Sequence, residues 1–497
     1  MRVIKRLIAI SIVVLAFVFA GLGFTPTTKE VQARSLIQLK PEITAKIPHN
    51  FDLARHPSII NAVVVNDFAW RVFVALNWPA DSQQGTPLSD KKIGQEPDAP
   101  RVWEFYCNRD QVLRPVGEAP IVPTKSFTCP DNHKLTVRLT EAGKVTEKDK
   151  FNAAVTAVSS SPPDEKGELT IPHEEIDAGN QIPLVDQQGN YVINEIRISP
   201  DEFAQIFNNK WYDADNLEQF NDSDKKFEFV CSEYQSGFTG FPCSNYGQNG
   251  AIEIKAAWRV FDEPKSEEER SRYEKEKARY YTTKRQLSIP AEISVTGQPL
   301  SQEVEVGLIG FHIAHKTSEQ GWIWSTFEQV DNVPADTSTQ ERYTLFNPNC
   351  KENCEENHPY VELPYLWRED APHAVTKVGN KIENQLPSQI VRLTETNPSF
   401  NKETLDQIKK QTDNWQQALK SVSDSSVWQY YKLIGTEWLE SPDVPYNSDD
   451  REITPAKPAL ANVALEPYFQ GVSCIACHTS ASLPNQAYAD FSFLMGK

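Results

Sequence analysis

Apolar and polar positions alternate along this chain with two different periods. Ile59, Ala62, Val63, Phe68, Val72, Ala75 and Leu76 recur near helical spacing, which predicts a helix over 58–78, with Ser58 as N-cap and Pro79 as its stop. Residues 199–207 read as a short helix, because Ser199 is followed by Pro200 and then by Glu202 three positions after the cap. Residues 266–284 carry charges of both signs at i,i+4 spacing and predict a solvated helix. Two more helices are expected over 402–422 and 427–439, anchored by Trp415, Leu419, Trp428 and Leu433. Period-two alternation predicts strands over 250–261 and 301–314, the second bringing His312 and His315 near its end. Short strands are expected within 130–200, separated by Pro, Gly and Asp, and loops over 80–101, 331–400 and 442–458. No internal repeat is visible. The class is α+β: a large mixed body with a helical C-terminal segment.

The N-terminus changes the compartment. Arg2, Lys5 and Arg6 precede an uncharged, mostly apolar run over 7–24, and Val31-Gln32-Ala33 places small residues at a cleavage site. This is the pattern of a secretory signal peptide over 1–33. The alternative is an uncleaved N-terminal membrane anchor, since 18 apolar residues barely span a bilayer. Both readings export the rest of the chain, to the periplasm or an equivalent compartment, where disulfides persist. An extended, Pro-punctuated lead-in follows over 34–57, then the mixed body over 58–440 and a C-terminal segment over 441–497 packed on it.

Composition narrows the function classes. The 497 residues carry a formal charge of −18, and loss of 1–33 would remove more basic than acidic residues, leaving the exported chain more acidic still. Such a field repels polyanions, so nucleic-acid binding is not expected, and a protein partner should present a basic docking surface. With 11 Trp and 24 Phe the chain can bury a large core. No P-loop, GxGxxG before a helix, HExxH or GxSxG is present.

The chemistry lies near the end. Cys474-Ile475-Ala476-Cys477-His478 has the CxxCH spacing that attaches haem c. Two thiols three positions apart reach the two vinyl groups of one haem, and the next residue offers its imidazole to the iron. A zinc site would need a second ligand pair, and none is obvious. A thioredoxin-like pair belongs after an early strand, which leaves a plain disulfide as the other reading.

CIACH and its flanks resemble cytochromes c. The segments at 68–79 (FAWRVFVALNWP), 100–105 (PRVWEF), 310–317 (GFHIAHKT), 321–334 (GWIWSTFEQVDNVP) and 461–481 further resemble a group of large, exported, single-haem proteins of poorly defined function. The resemblance implies one covalent haem c bound through Cys474, Cys477 and His478, with His478 the proximal iron ligand. It implies a cytochrome c-like helical segment at the C-terminus and a redox partner protein, but no reaction. Electron transfer is the first expectation. A peroxidase-like oxidoreductase or a sensor of small ligands is the alternative, suggested by the length of chain before the motif.

The sixth iron position separates these. Met495 is the one thioether beyond the signal, and the reading favoured for it is an apolar residue packing with Phe491, Phe493 and Leu494. His312 and His315 are rivals; three apart on a strand, they face opposite sides, so at most one meets the motif. Five-coordinate iron is the third option. The other histidines (His49, His56, His133, His173, His358, His373) lie in polar or Pro-rich stretches, and most read as solvated. Glu328 and Asp331 could handle protons near a haem or simply cap loops, and Trp322 and Trp324 could flank it or fill core.

Six cysteines remain, and sequence alone allows 15 pairings. Proximity favours Cys107–Cys129, Cys231–Cys243 and Cys350–Cys354. Cys350, Cys354 and His358 also form a C-x3-C-x3-H metal clip in outline, lacking an evident fourth ligand.

Overall fold

The computed structural model describes residues 40–50, 62–113, 120, 126–129, 134–137, 182–220, 225–233, 243–393, 402–439 and 462–495, apart from 469, 471–473, 480 and 486. The expected signal peptide, most of the lead-in, Ser58 and Ile59, His56, His133, His173 and the 442–458 connection lie outside these residues. The chain divides into Met1–Lys40 and one unit over Pro41–Lys497. Among the described residues no helix is long and apolar enough to cross a membrane.

The organising element is an 18-residue strand, Leu300–Thr317. Numbered along the chain, the strands are β1 (Cys107–Asn108), β2 (Lys134–Thr136), β3 (Ile193–Ile198), β4 (Ile252–Phe261), β5 (Thr282–Ile289), β6 (Leu300–Thr317), β7 (Gly321–Gln329), β8 (Leu366–Trp367), β9 (Ala374–Val378), β10 (Lys381–Asn384) and β11 (Tyr431–Trp438). One edge of β6 pairs with β4. Its other edge pairs first with β5 and then with β7, and β11 extends the sheet beyond β7. Pairing is antiparallel except between β2 and β5. A bulge between Ala257 and Trp258 passes over Ile309 and locally strengthens the twist. Strands β8–β10 form a separate small sheet. The helices are α1 (Ala62–Leu76), α2 (Arg109–Val112), α3 (Pro200–Asn208), α4 (Glu267–Lys277), α5 (Lys402–Val422) and α6 (Cys474–His478). The mixed α+β class is therefore the observed one.

The two faces of the sheet differ in chemistry. One face presents Ile254, Phe311, Ile313 and Phe327 to α1, whose Phe73 stacks on Phe327 at 4.1 Å. Trp70 of α1 stacks in turn on Trp415 of α5 at 5.7 Å, which locks the helical layer. Within this core Glu104 accepts from Arg285 Nη2 at 2.6 Å and from the Arg101 amide at 2.7 Å. Burial opposes its ionisation, yet Arg285 and the Tyr281 hydroxyl hold its carboxyl at about 2. The opposite face presents Glu253, Lys255, His312, Ala314, Lys316, Trp322, Trp324, Thr326, Glu328 and Glu437 by strand register. The C-terminal residues 462–495 and α3 cover this second face.

Several expected elements differ. Residues 427–439 are not helical: a single 3-10 turn over Val427–Tyr430 leads into β11. Tyr431 and Leu433 alternate with half-exposed neighbours, and the backbone groups find partners on β7. The charged helix ends at Lys277, because Tyr280 and Tyr281 are buried and Thr282 and Thr283 are β-branched, starting β5. The Trp-rich stretch over 321–329 is a strand buried on both faces. Strand β6 extends the expected element at both ends. Within the described part of the C-terminal segment, helix is confined to α6 and a 3-10 turn over Phe493–Met495.

All three disulfides expected from proximity are present: Cys107–Cys129, Cys231–Cys243 and Cys350–Cys354. The last consumes both thiols of the C-x3-C-x3-H outline, so that metal clip is ruled out, and His358 instead packs on Tyr360 at 4.5 Å. Glu228 sits close to Cys231 and Cys243, and their disulfide likewise removes them as ligands.

Candidate functional site

The CxxCH motif sits on α6, where spacings of three and four put Cys474, Cys477 and His478 on one side of the turn. No disulfide joins Cys474 to Cys477; both stand as thiols. Glu437 of β11 accepts the Ile475 amide at 3.0 Å and fixes the helix start to the sheet. Burial pushes the Cys474 thiol well above its ordinary range, and the charges of Glu437 and Glu466 push it further. A redox-active pair needs the opposite shift, a thiol lowered toward thiolate.

His478 is oriented from the other ring nitrogen. Its Nδ1 lies 2.6 Å from the Phe491 carbonyl, an acceptor, so Nδ1 carries the proton and Nε2 keeps its lone pair. Burial draws the imidazole down to about 4, so the ring is neutral at ordinary pH. Trp324 at 5.8 Å and Phe493 at 5.2 Å form aromatic walls around it, and Phe491 packs edge-on against Trp324 at 5.5 Å. Trp322 stands behind Trp324 at 6.2 Å.

The carbonyl that holds His478 is itself held. Asp490 and Phe491 are both left-handed, with φ of 52° and 65°. The Asp490 carboxylate accepts the Phe229 amide at 2.8 Å and the buried Lys316 ammonium at 2.5 Å. Burial pushes Asp490 up to about 6 even with Lys316 beside it. A second clamp lies at 462–466. Asn462 donates to Thr326 Oγ1 and to the Phe327 carbonyl, each at 2.9 Å, and the Val463 amide donates to Glu328 Oε1 at 2.8 Å. Gly310 permits this approach, because a Cβ there would meet Asn462 Oδ1 at 3.1 Å and Ala464 Cβ at 3.2 Å.

The three candidate distal residues separate clearly. His312 faces the motif side of the sheet, its Nε2 3.2 Å from Glu466 Oε2, and with Lys255 and Glu466 it acts electrostatically on His478. Burial opposes ionisation of Glu466, yet His312 holds its carboxyl below the ordinary range. His315 points to the other face, stacked on Phe68 at 5.4 Å with Nε2 2.7 Å from the Asn249 carbonyl. Met495 is buried in the apolar cluster containing Phe491 and Leu494.

Glu328 and Asp331 are structural here: Glu328 is paired with Arg392, and Asp331 Oδ2 lies 2.5 Å from Arg279 Nε. His373 departs from the solvated reading, being buried and stacked on Trp367 at 4.7 Å. Lys255, Lys316, Glu437, Glu466 and Asp490 are missing from the sequence-derived site. Lys316 alone left a signal, since alternation puts it on the face of His312.

No protein-family model matches the chain, and no curated protein or solved structure matches it.

Proposed function

We propose that the chain is an exported monohaem c-type protein, with Cys474 and Cys477 holding one haem c covalently and His478 ligating its iron. One observation carries this reading. In a CxxCH motif whose cysteines are both thiols, the His478 Nδ1–H bond to the Phe491 carbonyl leaves Nε2 free for a metal. The raised Cys474 thiol argues against a disulfide-exchange pair. Bound there, haem c supplies a one-electron iron couple. The chain's own residues fix the imidazole, wall it with Trp324, Phe491 and Phe493, and set its field through Lys255, His312 and Glu466. Electron transfer with a redox partner protein is the primary activity. A formal charge of −18 suits a basic docking surface and a salt-sensitive encounter. The three disulfides support export, to the periplasm or its equivalent.

His312 is the proposed sixth ligand, because it lies on the motif side of the sheet and acts electrostatically on His478, whereas His315 lies on the opposite face and Met495 packs among Phe491 and Leu494. The His312–Glu466 pair also supports a second reading, a peroxidase-like or small-ligand-sensing protein in which His312 handles protons and the iron is five-coordinate. A haem-stained denaturing gel and a pyridine haemochrome spectrum test attachment. Cys477→Ala should lose at least one thioether, and a variant retaining the two-thioether haemochrome spectrum would refute the attachment. Low-spin ferric iron that turns high-spin in His312→Ala but not in Met495→Leu supports the carrier. High-spin iron in the unaltered protein supports the second reading.

A further inference from the structure

The small sheet ends in an open edge. Strand β10 closes the order β10–β9–β8, and among the described residues it pairs with β9 alone. All four of its residues are exposed, so its outer row of backbone groups faces solvent. The hairpin that carries it projects. Val378 pairs with Lys381, which leaves Gly379 and Asn380 as a two-residue turn. Gly379 has φ of 62°, as a glycine-first hairpin turn requires, and a Cβ there would meet nothing within 4 Å. Two aliphatic side chains stand out on this hairpin, Val378 at 47% exposure and Ile382 at 39%.

The backbone fixes which groups a further strand could bond. The pair flanking a two-residue turn exchanges hydrogen bonds, so Lys381 turns its N–H and C=O toward β9. By alternation Glu383 does the same, whereas Ile382 and Asn384 turn theirs outward. The side chains narrow the partner. Among the described residues neither Lys381 nor Glu383 has a hydrogen-bond or ion-pair partner. Charges on a short edge strand ordinarily keep other strands away. Here their order does the reverse for one partner, a second copy of β10. Antiparallel pairing centred on residue 381 sets Lys381 against Lys381, and pairing centred on 383 sets Glu383 against Glu383. Pairing centred on 382 brings the outward groups of Ile382 to those of Ile382 in the other copy. Lys381 of each copy then faces Glu383 of the other, on both sides of an Ile–Ile contact.

We propose that β10 is the surface through which two copies of this chain associate, by antiparallel edge pairing centred on Ile382. The two-fold axis closes the contact, because each copy's open edge is consumed by the other. Strands β8–β10 of both copies then form one continuous sheet. The contact is small, below the ~1,200 Å² of a standard interface, so the dimer is reversible. Each copy carries a formal charge of −18, and salt is needed to screen that long-range repulsion. The inference is independent of the haem reading.

Sedimentation velocity of the full chain at ~0.15 M salt tests it, over concentrations from ~1 µM to ~1 mM. The weight-average mass should rise toward that of a dimer and stop there. Lys381→Glu turns two attractive pairs repulsive and should raise the dissociation constant about tenfold. Lys275→Glu makes the same change in net charge on α4 and should leave it unaltered. Lys381→Glu combined with Glu383→Lys keeps the original net charge, restores both cross-strand pairs and should restore the dimer. Ile382→Pro removes an outward N–H that β9 does not use, and should give a folded monomer. Should that variant fail to fold, the charge-swap series decides. A monomer at every concentration overturns the proposal; if that monomer sediments with phosphatidylglycerol vesicles, the hairpin's lysines face a lipid surface instead. Assembly beyond a dimer, equal effects of Lys381→Glu and Lys275→Glu, or no rescue by the double swap overturns it as well.

Discussion

Lys316→Met tests the device that holds the His478 acceptor in place. The Lys316 side chain is fully buried, its Nζ 2.5 Å from Asp490 Oδ2 and 3.4 Å from Glu228 Oε1. Removing one partner of such a pair leaves a buried charge and costs about 3–5 kcal/mol. The stranded Asp490 has an escape, because it can take a proton. Burial already raises it to about 6 in the presence of the ammonium, and without the ammonium it rises further. The sign then follows from linkage. A carboxyl raised in the folded state binds a proton that the unfolded chain releases, so stability falls as pH climbs toward the folded pKa. For the unaltered protein that fall ends near pH 6, whereas in Lys316→Met it continues. The gap between the two should open above about pH 6 at up to ~1.4 kcal/mol per pH unit, reaching ~2.7 kcal/mol by pH 8. Urea unfolding followed by tryptophan fluorescence at about pH 5.5 and 8 reads this directly. Lys316→Met combined with Asp490→Asn should recover most of the loss at the higher pH, since no buried charge remains. An equal penalty at both pH values, or a double variant no better than the single one, would refute the reasoning.

Two further predictions concern the frame. Gly310→Ala places a methyl group 3.1 Å from Asn462 Oδ1 and 3.3 Å from Ala257 Cβ, so about 1–3 kcal/mol of overpacking is expected. Limited proteolysis should then release the C-terminal segment sooner. Replacing Cys107 and Cys129 by Ser opens a loop of 22 residues and should cost about 3 kcal/mol, whereas opening the four-residue Cys350–Cys354 loop should cost about 2, as read from urea midpoints.

What the sequence made legible was local. The alternation through 301–314 identifies a strand and separates His312 from His315 onto opposite faces. The Ser199–Pro200–Glu202 signature places α3, with Ser199 accepting the Glu202 amide. The disulfides follow from proximity, because each closes a short loop. The CxxCH spacing needs no tertiary information. Strand β7 escaped because all nine residues are buried, which erases the period of two. Strand β11 escaped because its apolar residues also suit a helix, and only the free edge of β7 decides between them. The partners of the motif were hidden for a stronger reason. Lys316 and Asp490 are separated by 174 positions, and Val463 reaches Glu328 across 135. No local pattern encodes such contacts.

These long-range contacts also tie the motif's flanks to the sheet. The segments flanking α6 are fixed to the sheet by apolar packing and by discrete polar clamps: Asn462 on β7, Glu437 on the Ile475 amide, and Asp490 on Lys316 and the Phe229 amide. Buried polar contacts of this kind add little net stability, since desolvation offsets most of their attraction. They do reject alternative placements, because a displaced donor or acceptor stays unsatisfied. Apolar contacts around Trp324 and Phe491 would tolerate sliding; the clamps do not. Under the haem proposal, the His478 imidazole would have to be held to roughly half an ångström to define its metal's electronic state. The body thus supplies a rigid sheet face with polar anchors on either side of the motif, and the orientation of His478 Nε2 is a property of that face, not of the five residues CIACH alone.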